Sequence, residues 1–148
     1  MNRSMYKILL TGSIGAGKTT LTQRLSGMPI EYAKTQSIQA GEEITDTPGE
    51  YFDHRVYWSA LRISSNNVDR VLLLADPTDH DLRIPPGIAT TFPRPVTGVV
   101  TKKSLATPEQ LEMTEWKLQQ GGVDRVFVVD SITGEGIDDL VEVLECAK

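Results

Sequence analysis

Residues 6–27, YKILLTGSIGAGKTTLTQRLSG, decide the fold. Residues 6–11 form a short apolar run that stops at a glycine, which is typical of a strand buried on both faces of a parallel sheet. After Gly17, leucines at positions 21 and 25 have helical spacing, and Gly27 followed by Pro29 ends the pattern. The stretch therefore predicts a strand, a glycine-rich loop and a helix, in that order.

The loop between this strand and helix, GSIGAGKT at residues 12–19, matches the phosphate-binding pattern GxxxxGK followed by Ser or Thr. Glycines let backbone N–H groups converge on phosphate oxygens, and the helix N-terminus adds partial positive charge. Lys18 is expected to neutralise the β and γ phosphates during catalysis, and the hydroxyl of Thr19 is expected to ligate Mg²⁺. The predicted phosphate contacts come from Gly12, Ser13, Ile14, Gly15, Ala16, Gly17, Lys18, Thr19 and Thr20.

The rest of the chain alternates strand and helix patterns. Strands are predicted near residues 43–46, 70–75, 96–101 and 125–130. Helices are predicted over 52–64, from Pro108 to the glycines at 121 and 122, and from about Gly136 onward, while 28–42 is predicted as a loop and 48–49 as a turn. Repeated βαβ units around the glycine loop predict a three-layer α/β P-loop NTPase fold with a mostly parallel central sheet and helices on both faces. The length of 148 residues predicts one domain, 1–148.

The composition narrows the setting. The 15 basic and 20 acidic residues give a net charge of −5, which disfavours nucleic acid as a partner. The longest apolar run, residues 71–75, is too short to cross a membrane, and the few residues before the first strand leave no room for a signal peptide. The single cysteine, Cys146, excludes an internal disulfide and fits a cytoplasmic protein.

A second motif, DTPGE at residues 46–50, follows a predicted strand. A P-loop protein needs a carboxylate there to hold the Mg²⁺ shell, and Asp46 fills that role. Gly49 has no side chain, so its N–H is expected to contact a γ-phosphate and sense whether it is present. Thr35, in the loop after the first helix, is expected to cap the magnesium when triphosphate is bound and to release it after hydrolysis.

Two strand ends are predicted to contact the base of a nucleotide. Ligands bind outside the carboxyl ends of parallel strands, where Thr101 and Lys102 follow one strand and Ser131 and Ile132 follow another. These four residues are therefore predicted to contact the base of a nucleotide whose phosphates lie on the glycine loop.

Acidic side chains crowd the exit of the strand over 70–75: Asp76, Asp79, His80 and Asp81. No second cluster with ligand spacing accompanies them in the sequence, so a metal cage is not predicted here. The interpretation is a solvated exit from the strand.

Five motifs follow one another along the chain: GSIGAGKT at 12–19, KTQ at 34–36, DTPGEY at 46–51, VVTK at 99–102 and DSITGEG at 130–136. In this order they resemble the translation-factor type of P-loop GTPase, in a very short version. The resemblance implies a Ras-like, minimal fold. With Tyr57, SAL at 59–61, PPG at 85–87 and PVTGVVTK at 95–102, the chain resembles the EutP/PduV family of ethanolamine and propanediol utilisation over nearly its whole length. The resemblance implies a small cytoplasmic bacterial protein with a regulatory or assembly role in a catabolic microcompartment. It implies shell proteins or pathway enzymes as partners and leaves the oligomeric state open.

Two positions depart from the GTPase pattern. The fourth GTPase motif ends in an acid that takes the guanine N1–H and amino group, but Ser104 stands there. A serine cannot supply that charged pair, so ATP stays open beside GTP, which the resemblance favours. Glu50 stands where Ras-like GTPases carry the glutamine that orients the attacking water. An ionised glutamate only accepts hydrogen bonds, so intrinsic hydrolysis is expected to be slow, with Glu50 acting as a base if its pKa is raised.

Two rival functions stay open at this point. The first is an ATP-dependent kinase that passes the γ-phosphoryl group to a small carboxylic acid such as acetate, held by Arg55, Arg62 or Arg83. The second is a non-hydrolysing module that docks on shell proteins through the helix over 52–64 or the last helix. Both keep the fold and differ in what the phosphate site does.

Overall fold

The computed structural model describes residues 7–13, 15–25, 39–40, 44–47 and 49–146. The strands among these residues are β1 (Ile8–Gly12), β2 (Gln39–Ala40), β3 (Ile44–Asp46), β4 (Arg70–Ala75), β5 (Val96–Val100) and β6 (Val126–Val128). The helices are α1 (Lys18–Leu25), α2 (Gly49–Asp53), α3 (Trp58–Ser65), α4 (Pro108–Gln120) and α5 (Ile137–Cys146). The strands form one sheet in the order β2-β3-β1-β4-β5-β6, parallel throughout except that β2 runs antiparallel to β3.

One face of the sheet packs against α3 and α4. Side chains alternate between the two faces of a strand, and Leu9, Val71 and Leu73 point to this side. They form one buried cluster with Leu61 of α3 and Leu118 of α4. The apolar runs of β1 and β4 are long enough to fill this face and the opposite one.

The opposite face packs against α1 and α5. Leu10, Leu72 and Leu74, the neighbours of the first set, form a second buried cluster with Leu21 of α1 and Leu140 of α5. Helices therefore cover both faces of a mostly parallel sheet. The predicted three-layer α/β architecture of a P-loop NTPase is confirmed.

The predicted N-terminus of α4 is confirmed in detail. The Thr107 hydroxyl accepts a hydrogen bond from the Gln110 N–H at 3.1 Å, and the Gln110 side chain accepts one from the Thr107 N–H at 2.9 Å. Pro108 follows in the first turn, where its missing N–H costs nothing. This reciprocal cap fixes where the chain enters α4 after β5.

The prediction of one helix over 52–64, preceded by a turn at 48–49, is wrong. Helix α2 already begins at Gly49 and ends at Asp53, and His54 is extended with φ −118° and ψ 118°. A short 3-10 segment and α3 follow. Trp58 explains how the break is tolerated, because its indole N–H donates to the freed Phe52 carbonyl at 3.0 Å. Pro48 itself lies outside the described residues.

The break also changes which side chains are buried. Val56 and Ile63 are 79% and 66% exposed, whereas Leu61 is buried. The extended residue at 54 starts a new helical phase, in which Leu61 and Ser65 face the sheet. Ile63 lies two positions from Leu61 and so projects from nearly the opposite side of the helix.

Other boundaries move by a few residues. The predicted loop over 28–42 contains β2, which pairs through Gln39 and Ala40 with β3, while 26–38 and 41–43 lie outside the described residues. Strand β6 ends at Val128, so Asp130 belongs to the following loop and not to a strand. Among the described residues, no helix has the length and apolarity that a membrane crossing requires.

Candidate functional site

The glycine loop lies between β1 and α1, as predicted. The Ala16 N–H donates to the Ser13 carbonyl at 3.0 Å, and the Leu21 N–H donates to the Gly17 carbonyl at 2.9 Å, which starts the helix. Gly17 has φ +98°, a conformation that L side chains rarely adopt. The loop therefore needs glycine at 17 to turn its backbone into the first turn of α1.

Lys18 is folded over this loop and is only 7% exposed. Its ammonium donates to the carbonyl oxygens of Gly12 at 3.0 Å and Ser13 at 3.1 Å. Burying an ammonium is costly unless it is hydrogen-bonded, so these carbonyls hold the charge beside the helix N-terminus. Thr19 and Thr20 follow it in the first turn of α1 and are partly exposed.

The residues after β5 bind the glycine loop directly. The buried Thr101 hydroxyl donates to the Ala16 carbonyl at 2.6 Å, and the Lys102 ammonium donates to the Gly15 carbonyl at 2.7 Å. Lys102 has φ +55°, which turns its side chain back across the strand ends. Thr101 and Lys102 were predicted to edge a base, and the structure gives them the further task of holding the loop in shape.

Asp76, at the end of β4, takes part in the same contacts. Its carboxylate accepts a hydrogen bond from Lys102 at 2.9 Å and from the Thr78 hydroxyl and N–H. Burial alone would raise the pKa of Asp76, but the Thr78 and Lys102 contacts outweigh it and lower the pKa. The interpretation of Asp76 as part of a solvated exit is wrong, because the carboxylate positions Lys102.

A second carboxylate that sequence reasoning missed, Asp130, lies after β6 and is 2% exposed. One oxygen accepts the N–H groups of Ile132 and Thr133, each at 3.0 Å. The other accepts the Ser104 N–H at 2.9 Å and the Ser104 hydroxyl. Burial raises the pKa of Asp130, but these donors, led by the Ser104 hydroxyl, lower it to about 2. Asp130 therefore ties the loop after β5 to the loop after β6.

This pairing predicts an acid-sensitive contribution to stability. Because the folded-state pKa of Asp130 is about 2 and its ordinary value is 3.8, the carboxylate stabilises the fold fully above about pH 4. The contribution, about 2 kcal/mol, should be lost as the pH falls toward 2. In urea unfolding, Asp130→Asn should be less stable than the wild type at pH 6, and the gap should narrow by pH 3. Glu112→Gln, on the exposed side of α4, is the control, and a gap that does not change with pH would contradict the assignment.

The loop that contains Ser131 and Ile132 is also anchored to α1. The Arg24 guanidinium donates to the Ser131 carbonyl at 2.9 Å and to the Ile132 carbonyl at 2.7 Å. Ser131 is buried, whereas the Ile132 side chain is 67% exposed beside the same edge of the sheet. Contacts to α1 and to the glycine loop thus hold both predicted base-edging loops close to the predicted phosphate site.

The second motif is described through its backbone. Asp46 ends β3 and is level with Leu10 of β1, and Gly49 and Glu50 open α2. The Thr47 hydroxyl donates to the Leu10 carbonyl at 2.8 Å, which ties this segment to the strand that leads into the glycine loop. Thr35 and Ile14 lie outside the described residues, so their predicted roles stay predictions.

Two of the arginines considered as acid ligands meet at one aromatic ring. The guanidinium carbons of Arg55 and Arg62 lie 5.7 and 5.9 Å from the centre of the Trp58 ring. Arg83 is exposed in the loop after Leu82. The structure therefore brings Arg55 and Arg62 together at Trp58, shortly after α2.

The parallel sheet, the glycine loop with its buried lysine and the helix that follows define a P-loop NTPase fold. A family model described as ethanolamine utilisation and propanediol utilisation matches residues 5–146. The chain belongs to this PduV–EutP family.

Relatives of known description cover nearly the whole chain. The propanediol utilization protein PduV of Citrobacter freundii is 36% identical over 136 residues, which are 92% of this chain and 91% of that protein. A protein of Escherichia coli K12 described as the probable acetate kinase EutP is 29% identical over 142 residues, 95% of this chain and 89% of that protein. The two descriptions differ, so membership of the family does not by itself fix the reaction.

Part of a translation factor has the same fold. The elongation factor SelB of Methanococcus maripaludis, in complex with the GTP analogue GppNHp, superposes with a TM-score of 0.64 and 20% identity. The match covers 96% of this chain and 34% of SelB, so the chain spans about a third of that factor. This likeness supports the fold alone.

Proposed function

We propose that this chain binds a nucleoside triphosphate together with Mg²⁺, favours GTP with ATP also possible, and hydrolyses it slowly. Lys18 carries the proposal, because its ammonium is buried at the start of α1 on the Gly12 and Ser13 carbonyls. Few roles other than binding an anion account for a buried lysine in a glycine loop. Phosphate oxygens would take contacts from Lys18 and from the backbone N–H groups of residues 15–19.

Mg²⁺ fits the oxygen donors that the chain offers beside this loop. Thr19 follows Lys18 in α1, and Asp46 ends the neighbouring strand β3, level with Leu10. A hydroxyl and a carboxylate are ligand types that Mg²⁺ accepts, with Thr35 as the third predicted oxygen. When bound, the ion would neutralise charge on the phosphates, while Asp46 and Thr19 hold and orient it.

Slow turnover follows from Glu50, the second residue of α2. Beside a polyanion, an ionised glutamate at this place repels charge and accepts hydrogen bonds without donating any. It therefore orients an attacking water less well than glutamine does. Rapid hydrolysis would need an added group, such as an arginine from another protein.

The family indicates the setting. Its description and the PduV relative both refer to propanediol or ethanolamine utilisation, and we propose the same kind of catabolic pathway here. A slow nucleotide cycle suits a regulatory or assembly factor in the cytoplasm that contacts shell proteins or enzymes of a microcompartment. Nucleotide-dependent movement would centre on Thr35 and Gly49.

A second activity is favoured by the description of the Escherichia coli relative as a probable acetate kinase. In that reaction a carboxylate oxygen attacks the γ-phosphorus, the bond to the β-phosphate oxygen breaks, and the products are an acyl phosphate and a nucleoside diphosphate. Arg55 and Arg62, which meet at Trp58 after α2, are the charged groups nearest in sequence to Glu50 that would hold a carboxylate. Ser104, which stands in place of the guanine-reading acid, also leaves room for ATP.

One experiment separates these activities. Phosphate release from GTP and from ATP is followed with Mg²⁺ or with a chelator, and acyl phosphate is assayed after acetate is added. We expect slow, Mg²⁺-dependent phosphate release, faster with GTP than with ATP, and no acyl phosphate above a Lys18→Ala control. Acyl phosphate from ATP and acetate above that control would establish the second activity instead. If neither phosphate release nor acyl phosphate rises above the control in any condition, both activities are overturned.

A further inference from the structure

Ser104 and Asp130 form a hydrogen-bonded pair between two neighbouring loops. Ser104 follows β5 and is exposed, whereas Asp130 follows β6 and is buried. Both the N–H and the hydroxyl of Ser104 donate to one Asp130 oxygen. The other oxygen is occupied by the N–H groups of Ile132 and Thr133. All four contacts are donors directed at the carboxylate.

This arrangement fixes the polarity of the Ser104 hydroxyl. A serine hydroxyl has one hydrogen and two lone pairs, and an ionised carboxylate accepts hydrogen bonds only. The single hydrogen of Ser104 is therefore used on Asp130, and the outward side of its oxygen is left with lone pairs. Donation to a charged acceptor also strengthens that oxygen as an acceptor for a further partner.

The pair lies at the edge of the sheet that carries the glycine loop. Thr101 and Lys102, just before Ser104, bind the Ala16 and Gly15 carbonyls. Arg24 of α1 binds the carbonyls of the loop that follows Asp130. A nucleotide whose phosphates lie on residues 15–19 would extend its base toward these two loops, because ligands occupy the carboxyl ends of parallel strands.

Resting on the proposed function, we propose that Ser104 reads the base as a hydrogen-bond acceptor and that Asp130 is the positioning residue that sets its polarity. Guanine presents two adjacent donors, N1–H and the N2 amino group, on the edge that would face this oxygen. Adenine presents an acceptor, N1, at the corresponding place. The site therefore selects guanine through a neutral oxygen backed by a buried carboxylate instead of through a directly placed acid.

Removing the acceptor tests the first half of this assignment. Affinities for GDP and ADP are measured by calorimetry in the wild type, in Ser104→Ala and in Ser59→Ala, an exposed serine of α3 that serves as the control. Ser104→Ala should weaken GDP binding about tenfold, the effect of one hydrogen bond of this kind, and should leave ADP binding nearly unchanged. Ser59→Ala should change neither affinity.

Exchanging the two residues tests the second half. Ser104→Asp alone places two carboxylates together, and Asp130→Ser alone leaves N–H groups without their acceptor, so each should lose guanine selectivity and stability. The double variant Ser104→Asp with Asp130→Ser restores one carboxylate and one hydroxyl. It should recover the GDP-to-ADP preference of the wild type or exceed it, an outcome that a merely structural clamp would not give.

The outcomes also separate this inference from the proposed function. Three results would each overturn the base-reading assignment without affecting the evidence for nucleotide binding. The first is equal affinity of the wild type for GDP and ADP, and the second is a GDP-to-ADP affinity ratio in Ser104→Ala that equals the wild-type ratio. The third is a double variant whose GDP-to-ADP preference is no greater than that of the less selective single variant. If the wild type binds neither GDP nor ADP more tightly than the Lys18→Ala variant does, the proposed function and this inference are both overturned.

Discussion

Replacing Gly136 by alanine should lower the free energy of unfolding by about 3 to 5 kcal/mol. Gly136 has φ +78°, and a Cβ built on it would lie 2.4 Å from the Val128 carbonyl oxygen and 3.2 Å from a methyl group of Val129. The oxygen belongs to the backbone at the end of β6, so it cannot move aside cheaply. Strain in the left-handed conformation therefore adds to a clash with the sheet.

Gly87 is the matched control for this substitution. Its φ is +76°, nearly the same, but a Cβ there would meet only the Thr90 hydroxyl, at 3.9 Å. Gly87→Ala should therefore show the conformational cost alone, about 1 kcal/mol. Thermal unfolding should place Gly136→Ala about 10 °C or more below the wild type and Gly87→Ala only a few degrees below. Equal losses in the two variants would mean that the contact with Val128 plays no part.

The substitution of Gly136 should also affect the candidate functional site, because Gly136 lies between α5 and the loop that Asp130 holds in place. The Asp130 N–H donates to the Glu135 carbonyl at 2.9 Å, and the Leu140 N–H donates to the Gly136 carbonyl at 3.2 Å. A side chain at 136 would push the loop away from β6 and weaken the donors that face the Asp130 carboxylate. We therefore expect the same substitution to reduce nucleotide selectivity as well as stability.

Local sequence patterns predict the fold well where one pattern specifies one environment. The apolar runs of β1 and β4 are buried on both faces, which only the centre of a sheet provides, and Thr107 followed by Pro108 is typical of a helix start. The P-loop motif is likewise local, and the structure places Lys18 at the start of α1 as predicted. These features depend on neighbours in sequence and so can be read without knowing the fold.

The missed features depend on contacts between distant segments. The break at His54 is stabilised by Trp58, whose side chain returns to the Phe52 carbonyl, and helical periodicity contains no sign of such a contact. Asp76 directly follows the buried strand β4, and Asp130 lies two residues after the half-buried strand β6, positions that sequence can identify. Their partners, Lys102 and Ser104, are 26 residues away in each case, and only the sheet order brings them together.

The departure from the GTPase pattern at Ser104 can be interpreted only together with the contacts of this residue in the structure. In the sequence, Ser104 is a missing acid, which weakens the case for guanine. In the structure, the Ser104 hydroxyl contacts the buried carboxylate of Asp130, so a negative charge is present directly behind the serine. A substitution at a binding position therefore has to be interpreted together with what faces it.

Replacing Lys18 by alanine should lower the affinity for a nucleoside triphosphate by about a hundredfold. The buried ammonium is expected to exchange its contacts with the Gly12 and Ser13 carbonyls for charge-assisted hydrogen bonds to phosphate oxygens. Losing hydrogen bonds to a charged group is worth about 3 kcal/mol, which corresponds to that loss of affinity. Stability should fall much less, because alanine leaves the glycine loop its contacts with Thr101 and Lys102.

Lys7 supplies the control for charge alone. Lys7 is exposed and directly precedes β1, at the opposite end of that strand from the glycine loop. Lys7→Ala removes the same unit of charge as Lys18→Ala. If general attraction of a polyanion explained binding, both variants would weaken it similarly. We expect only the Lys18 variant to do so.

The most direct measurement is a calorimetric titration of the wild type, Lys18→Ala and Lys7→Ala with a non-hydrolysable GTP analogue in the presence of Mg²⁺. We expect saturable binding at one site per chain in the wild type and in Lys7→Ala, and binding about a hundredfold weaker in Lys18→Ala. Equal affinity in all three proteins, or no saturable binding by the wild type, would contradict the assignment of the glycine loop as the nucleotide site.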